Sequence, residues 1–446
     1  MKLIPLVFFV IILLAISVLV AGCSNTAETN PGNTSVTSPN STSATNASKT
    51  PGAAIVWQHR YGGQSWDEAQ SVIQTNDGGY ALAGMMTIIP AGQSYEYYSP
   101  LAQPRMMLLR TDAGGNELWN MTYGGRSSSG SSVIETKDGG FALLGDSGSS
   151  SILLVRTDAH GNELWNRTYE WEDYTSGNSV LQADDGSFIF TGGTGRTLSE
   201  YKVIMVKTDA LGNILWNRTY EQSGSGRQMV KAADGGYAIA GNTFILKTDA
   251  NGNELWSKNY KSLLKDALPR ASQDIIVLFK AIMPSEDGGF AVAGIYGTIS
   301  VNTSDGGQNN NSIRTISSTF DLDYLLMKTD ASGNIISART YGQEKYQEAS
   351  TAIPAGDGGY VIAGLTGNGT ASVSTSGISA DTNYSLYLVK VDANGNEAWA
   401  GTYKVDDNNQ CTALVRARDG GYVITGKSLS NEFRGLDFDI FLMKVA

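Results

Sequence analysis

The stretch from Asp138 to Tyr169 reads DGGFALLGDSGSSSILLVRTDAHGNELWNRTY. It begins with an Asp-Gly-Gly turn and runs into the apolar segment Phe141-Ala142-Leu143-Leu144-Gly145. A second apolar run, Ile152-Leu153-Leu154-Val155, closes on Arg156 and meets the turn Asp158-Ala159-His160-Gly161-Asn162. The last run carries Trp165 and Tyr169. Asp and Asn bond back to their own backbone and Gly tolerates positive φ, so both Gly-containing segments read as turns. The runs between them are short and rich in β-branched and aromatic residues, which predicts strands.

Working outward, the same unit recurs. Asp-Gly-Gly followed by an aromatic stands at Asp77, Asp138, Asp234, Asp287, Asp357 and Asp419, and a variant, Asp185-Gly186-Ser187-Phe188, makes a seventh. The basic residue that closes the second run recurs as Arg110, Arg156, Lys207, Lys247, Lys328, Lys390 and Lys444. Trp and Tyr recur as Trp119 and Tyr123, Trp165 and Tyr169, Trp216 and Tyr220, Trp256 and Tyr260, and Trp399 and Tyr403, while Ser337 takes the Trp place ahead of Tyr341. Successive turn motifs lie 47 residues apart between Asp138 and Asp185 and 70 apart between Asp287 and Asp357. That spacing fits four strands with loops of variable length, as in a propeller blade. Within the runs, small residues alternate with larger apolar ones, as suits strands covered on both faces. The expected fold is all-β, a seven-bladed β-propeller of four-stranded antiparallel blades.

The two ends of the body are complementary. Trp57 and Tyr61 form a lone last-strand segment with no repeat before it, and the final repeat stops at Phe441-Leu442-Met443-Lys444 without one. The N-terminal strand is therefore expected to complete the last blade and close the ring, leaving no exposed edge.

The repeat resembles the quinoprotein-type propeller repeat, in which an Asp turn and a Gly precede a Trp on the outer strand, over residues 54–446. It is also similar to the repeats of uncharacterised surface lipoproteins. The resemblance implies a propeller. It implies no quinone cofactor here: the adjacent cysteines that many quinone-dependent dehydrogenases carry are missing, only Cys411 lies in the body, and the Trp spacing is one residue short.

Residues 1–22 read as an export signal. Lys2 precedes an apolar run from Leu3 to Val20, and Val20-Ala21-Gly22-Cys23 resembles a lipoprotein cleavage site with lipid attachment at Cys23. The alternative is an uncleaved membrane-spanning helix, and both readings put the body outside the membrane. Residues 23–53 are rich in Ser, Thr and Asn and read as a disordered linker with a reach of about 30 Å. Asn33, Asn40 and Asn46 lie in glycosylation sequons there, and Asn302, Asn310, Asn368 and Asn383 lie in sequons of the long loops. The sequons at Asn120, Asn166 and Asn217 share one strand position after Trp, where Thr has a structural reason to be.

A net charge of −11 over 446 residues, with no basic run, excludes nucleic acid as a partner. Two histidines, His59 and His160, are too few for a His-based triad or a multi-His metal site. No catalytic residue, metal site or cofactor is assigned. Cys411 stands where other copies carry Ala69, Gly130 or Gly177, and reads as a small buried residue. The repeated bases read as cross-strand partners of the repeated Asp turns rather than as an anion-binding ring.

If the strands of a blade are labelled A to D, with Trp on D, the A–B and C–D turns share one face and are nearly identical from blade to blade. The B–C and D–A connections share the other. B–C loops are expected to be long at residues 85–105, 295–323, 365–385 and 427–439, in blades 1, 5, 6 and 7. The one in blade 4 shrinks to Asn242-Thr243, and the D–A segment 261–280 is long. Variable loops on a rigid scaffold are the expected binding surface. Tyr95, Tyr97 and Tyr98 are its aromatic candidates, and Asp437 and Asp439, with Asp321 and Asp323, are its carboxylate candidates. The sequence thus points to a monomeric, lipid-anchored, non-catalytic binding or scaffold protein on the outer face of the membrane, recognising a glycan, a protein or an envelope polymer. The alternative is a carboxylate-dependent glycoside hydrolase or lyase on the same face.

Overall fold

The computed structural model describes residues 52–446, except 64, 90–102, 172, 198–199, 269–274, 306–313, 343–345, 368–369, 375–376, 381–383 and 430–437. The body is a seven-bladed β-propeller. Blade 1 is formed by Glu68–Gln74, Tyr80–Ile88, Gln103–Thr111 and Glu117–Tyr123, hydrogen-bonded in that order. Blades 2, 3 and 4 repeat the pattern over residues 128–170, 174–223 and 228–259. Blade 5 is built on Ile275–Pro284, Phe290–Asp305, Arg314–Thr329 and Ile335–Tyr341, and blade 6 on Tyr346–Pro354, Tyr360–Gly367, Ser385–Val391 and Glu397–Tyr403. Each A strand touches the A strands on either side of it around the whole ring, so the A strands surround the axis and the D strands form the rim.

Closure takes place in blade 7. Asp407–Arg416, Tyr422–Leu429 and Phe438–Val445 supply three strands, and Ile55–Tyr61 adds the fourth antiparallel to Phe438–Val445, with Trp57 opposite Lys444 and Tyr61 opposite Ile440. Ala54 and Ala446 exchange backbone hydrogen bonds of 2.9 and 3.0 Å beyond the last strand pair. The expected use of the two ends is what the chain does.

The core consists of seven apolar clusters, one between each pair of neighbouring blades. Between blades 2 and 3, for example, Leu144, Ile152 and Leu154 meet Val180, Phe188 and Phe190. Both faces of each blade are covered, which explains why B and C strands such as Phe141–Ser147 and Ser151–Thr157 do not alternate apolar with polar residues.

The recurring motifs hold neighbouring blades together. Tyr123, Tyr169, Tyr220, Tyr260 and Tyr341 donate their hydroxyls to the carbonyls of Gly161, Gly212, Gly252, Gly333 and Gly395 at 2.6–2.8 Å, each in the C–D turn of the next blade. Tyr61 makes the same bond to Gly115 across the closure. The Trp above packs on that turn, so a methyl group at Gly161 (φ 82°) would strike the Trp119 ring. In blade 5, where Ser337 replaces Trp, Arg339 bonds Gly395 O and Asn396 Oδ1 at 3.1 and 2.9 Å. After blade 6 the next blade has no C–D turn, and Tyr403 donates instead to Ala53 O at 2.7 Å.

Three expectations need correction. The B–C segments of blades 5 and 6 are largely strand rather than loop. The middle strands of blade 5 run 16 residues each and pair from Phe290 opposite Thr329 out to Asp305 opposite Arg314. Thr370–Ser374 of blade 6 pairs antiparallel with Ile316–Thr319 of blade 5, and Gly377–Ala380 pairs with Thr370–Ser374. In blade 1 the loop is shorter than 85–105, because strands extend to Ile88 and restart at Gln103. The D–A segment 261–280 contains a short helix, Lys261–Ala267, anchored by the buried Leu264, and from Ile275 onward is already the A strand of blade 5.

Candidate functional site

The two faces are chemically different. On the uniform face the C–D turn is closed by its Asp: Asp112 Oδ1 accepts the N–H groups of Gly114 and Asn116 at 2.9 and 2.8 Å, and Oδ2 accepts Asn116 Nδ2 at 2.9 Å. Asp158, Asp209, Asp249 and Asp330 repeat this arrangement. The Asn116 side-chain bond, with the backbone bonds beside it, holds the Asp112 carboxyl below its usual range. These carboxylates are used up in forming turns.

The repeated bases are paired with the A–B turns. Arg110 pairs with Asp77 at 2.5 Å, Lys207 with Asp185 at 3.3 Å, Lys247 with Asp234 at 2.7 Å and Lys390 with Asp357 at 2.6 Å, and Arg156–Asp138 and Lys444–Asp419 complete six pairs. Lys328 departs from the pattern. It donates to Ala393 O at 2.8 Å in blade 6 and lies 5.1 Å from the Tyr360 ring centroid.

On the variable face the long hairpin of blade 5, the residues 370–374 and 377–380 joined to its edge, and the register between them make a small sheet standing beyond the ring. It is a wall on one side of the axis. Asn302 lies on this wall, opposite Ser317. Asp321 and Asp323 lie at its base, opposite Thr298 and Tyr296. Asp439 opens the last strand of blade 7 and pairs with Arg60 of the closing strand at 2.5 Å, and Arg60 also holds Asp406 at 2.7 Å. Asp439 thus takes part in fastening the closing strand. Cys23, Asn33, Asn40, Asn46, Tyr95, Tyr97, Tyr98, Asn310, Asn368, Asn383 and Asp437 lie outside the described residues.

Sequence reasoning missed the centre of the ring. In six blades the A strand is bulged, and the residue inside the register shift is Gln70, Ser131, Asn178, Lys280, Ser350 or Thr412. In blade 4 the strand begins directly after the equivalent Arg227. All seven line one axial cavity of about 420 Å³, together with Ser176, Ser225 and Cys411. A bulge re-aims a side chain and leaves a backbone group unpaired. The next residue repairs part of that loss. Ser71, Ser132, Ser179 and Gln228 accept the N–H groups of Val133, Val180, Met229 and Ile282 in the following blade at 2.8–3.3 Å. The A strands carry several polar residues each, as in Ser128–Glu135 and Tyr174–Gln182, and without the register nothing in the sequence told which of them pointed to the axis. Cys411 precedes the bulge of blade 7 and is buried, and burial pushes its thiol up to about 12, so it is not a thiolate nucleophile near neutrality.

One carboxyl is displaced toward neutrality. Asp146, at the end of the B strand of blade 2, accepts Gly177 N–H at 2.8 Å across the blade boundary. Burial pushes its carboxyl up to about 6.

No protein-family model matches the chain, and no curated protein matches it. Several solved structures resemble it in shape. The WD40 domain of Neurospora crassa Pan2 covers 84% of this chain and 88% of its own length at 9% identity and a TM-score of 0.50. Virginiamycin B lyase from Staphylococcus aureus covers 85% and 100% at 9% identity and a TM-score of 0.42. A protein of unknown function from Bacteroides caccae covers 74% and 96% at 14% identity and a TM-score of 0.39. At these identities the likeness is one of fold alone.

Proposed function

We propose that the chain is a lipid-anchored protein of the cell surface that binds, without catalysis, a glycan, a protein or an envelope polymer, and that the blade 5–6 wall is its recognition element. The supporting observation is directional. A D strand runs from the uniform face to the variable face, and Ile55–Tyr61 is the D strand of blade 7, so the chain enters the ring at Gly52 on the uniform face. A tether carrying lipid at Cys23 would leave from that face and turn the wall outward, away from the membrane. The similarity of the repeats to quinoprotein-type repeats belongs to this reading as scaffold only.

The test is a comparison of the full chain with a variant in which residues 300–319 are replaced by Asn-Gly. That variant joins Ile299 to Phe320, which already face each other. Both would be applied to a glycan array and to intact cell envelopes. Binding by the full chain that is lost in the variant, with an unchanged melting temperature, is the expected result. Blank results for the full chain on both would overturn the reading. Labelling with a radioactive fatty acid, abolished by Cys23→Ala, tests the anchor separately.

A further inference from the structure

The axial cavity carries chemistry that the scaffold does not need. Of the seven equivalent residues, six in bulges and Arg227 ahead of its strand, five are uncharged, and the two charged ones, Arg227 and Lys280, are cations on neighbouring blades. Lys280 sits deep in the ring. Burial pulls its ammonium below the usual range, and Glu348 of blade 6, 3.3 Å away, offsets part of that cost while the nearby Arg227 adds to it. Glu348 is shared: its other oxygen accepts Tyr346 Oη at 2.5 Å. Two cations therefore face one carboxylate, which leaves a positive charge unmatched inside an otherwise acidic protein.

Arg227 is aimed rather than loose. Its Nε donates to Asn242 Oδ1 at 2.8 Å. Asn242 is available because the B–C connection of blade 4 is almost nothing, with strands ending at Ala240 and resuming at Phe244. Among the described residues its two terminal nitrogens have no protein acceptor, although the side chain is exposed to the cavity. A guanidinium held by Nε and open at its fork is set up for a planar two-oxygen acceptor. Beside it, Asn178 Nδ2 donates to Ser225 Oγ at 2.6 Å and to Gly226 O at 2.9 Å, so that corner is pre-organised. Across the cavity, charge is already balanced: Glu68 takes Lys427 at 2.5 Å and Gln70 Nε2 at 2.8 Å. The rest of the lining is the hydroxyls of Ser131, Ser176, Ser350 and Thr412 and the Cys411 thiol, with no aromatic ring among the described residues. The volume of about 420 Å³ falls in the range of roughly 300–1,000 Å³ usual for small-molecule sites.

We propose that the axial cavity is a binding site for a small hydroxylated carboxylate, a sugar acid, with its carboxylate on Arg227 and Lys280 and its hydroxyls on the Ser, Thr, Asn and Gln ring. The carboxylate supplies the missing negative charge and matches the open fork of Arg227. The polar ring, which offers both donors and acceptors, suits hydroxyls better than an apolar tail. This site is independent of whatever the blade 5–6 wall recognises.

The test is calorimetric titration of the full chain in detergent with D-glucuronate, D-galacturonate and D-gluconate. D-glucose and sodium sulfate would be run as separate arms, and an oligomer of uronic acid would tell a free acid from a polymer end. At least one of the three acids is expected to bind at least tenfold more tightly than glucose or sulfate. Arg227→Gln is expected to weaken it at least tenfold with the melting temperature kept. Lys280→Gln is the second variant, and because it takes from Glu348 its paired cation it is read only if it folds. Arg227→Gln, at an exposed side chain, decides the matter alone. No binding of any of the three acids, equal binding of glucose or sulfate, or unaltered affinity in Arg227→Gln would each overturn the proposal.

Discussion

Tyr169 Oη donates to Gly212 O at 2.8 Å, and both groups are buried at the boundary of blades 2 and 3. Tyr169→Phe removes the donor and leaves a buried carbonyl without its partner, which costs about 1–2 kcal/mol. Urea unfolding monitored by tryptophan fluorescence should show the midpoint falling, and an unchanged midpoint would mean that the bond is not formed in solution. Asp146 gives a pH-dependent case. Its carboxyl stands at about 6 in the folded chain against an ordinary 3.8. Between those values the folded state holds a proton that the unfolded state has lost. The resulting stability is present below about pH 4, declines as pH rises through that window, and is gone above about 6. Asp146→Asn keeps an acceptor for Gly177 N–H but never ionises. Its melting temperature should match the parent's near pH 4 and exceed it at pH 8, with an unfolding free energy higher by up to about 3 kcal/mol. An identical difference at both pH values would show that the carboxyl does not titrate in this range.

At the scale of the element, the wall is a separable addition. Among the described side chains, those this hairpin gives to the core clusters lie no further out than Tyr296 and Tyr324, so shortening it beyond Ile299 and Phe320 should leave the main melting transition in place. The segment 370–374 would lose its pairing partner Ile316–Thr319 and should become the first site cut in limited proteolysis. Continued protection of 370–380 in the shortened variant would mean that blade 6 holds it unaided. This wall also marks the limit of what could be read in advance. The blades were legible because each strand carries its own turn motif, and the turns bond locally: Asp330 closes its turn on Asn334 within four residues. The wall has no such motif. Residues 295–323 carry Ser, Thr, Asn and Gly at a density that reads as loop, and the strand state of 295–305 and 314–323 comes from pairing with each other and with blade 6. The same holds at the axis. Arg227 and Lys280 are 53 residues apart in sequence, and only the ring brings them to one cavity. Repeated residues were easy to interpret because repetition averages out local noise, whereas residues that break the repeat meet partners from other blades.

At the scale of the whole molecule, the closing strand decides whether there is a ring at all. Each blade boundary buries an apolar cluster, and the boundary of blades 7 and 1 is formed by Tyr61, with Trp57 packed beside it, against Tyr80, Leu82, Met107, Leu109, Ile440 and Leu442. Ile55–Tyr61 also satisfies the outer edge of Phe438–Val445, and its Tyr61 hydroxyl latches onto Gly115 of blade 1. A chain starting at residue 62 keeps six complete blades and loses all three contributions at once. The edge left on Phe438–Val445 is apolar and unpaired, which favours pairing with another chain. A chain starting at residue 52 keeps every described contact of the ring, the first of which are made by Ala53 and Ala54. The shorter truncation should therefore melt with the parent as one cooperative transition. The longer one should melt well below it and enlarge in light scattering, and adding a peptide of residues 52–61 in excess should raise its transition in proportion to the logarithm of peptide concentration. A chain from residue 62 that stays monomeric and melts with the parent would show that six blades and a three-stranded seventh are enough, and that the N-terminal strand decorates the ring instead of closing it.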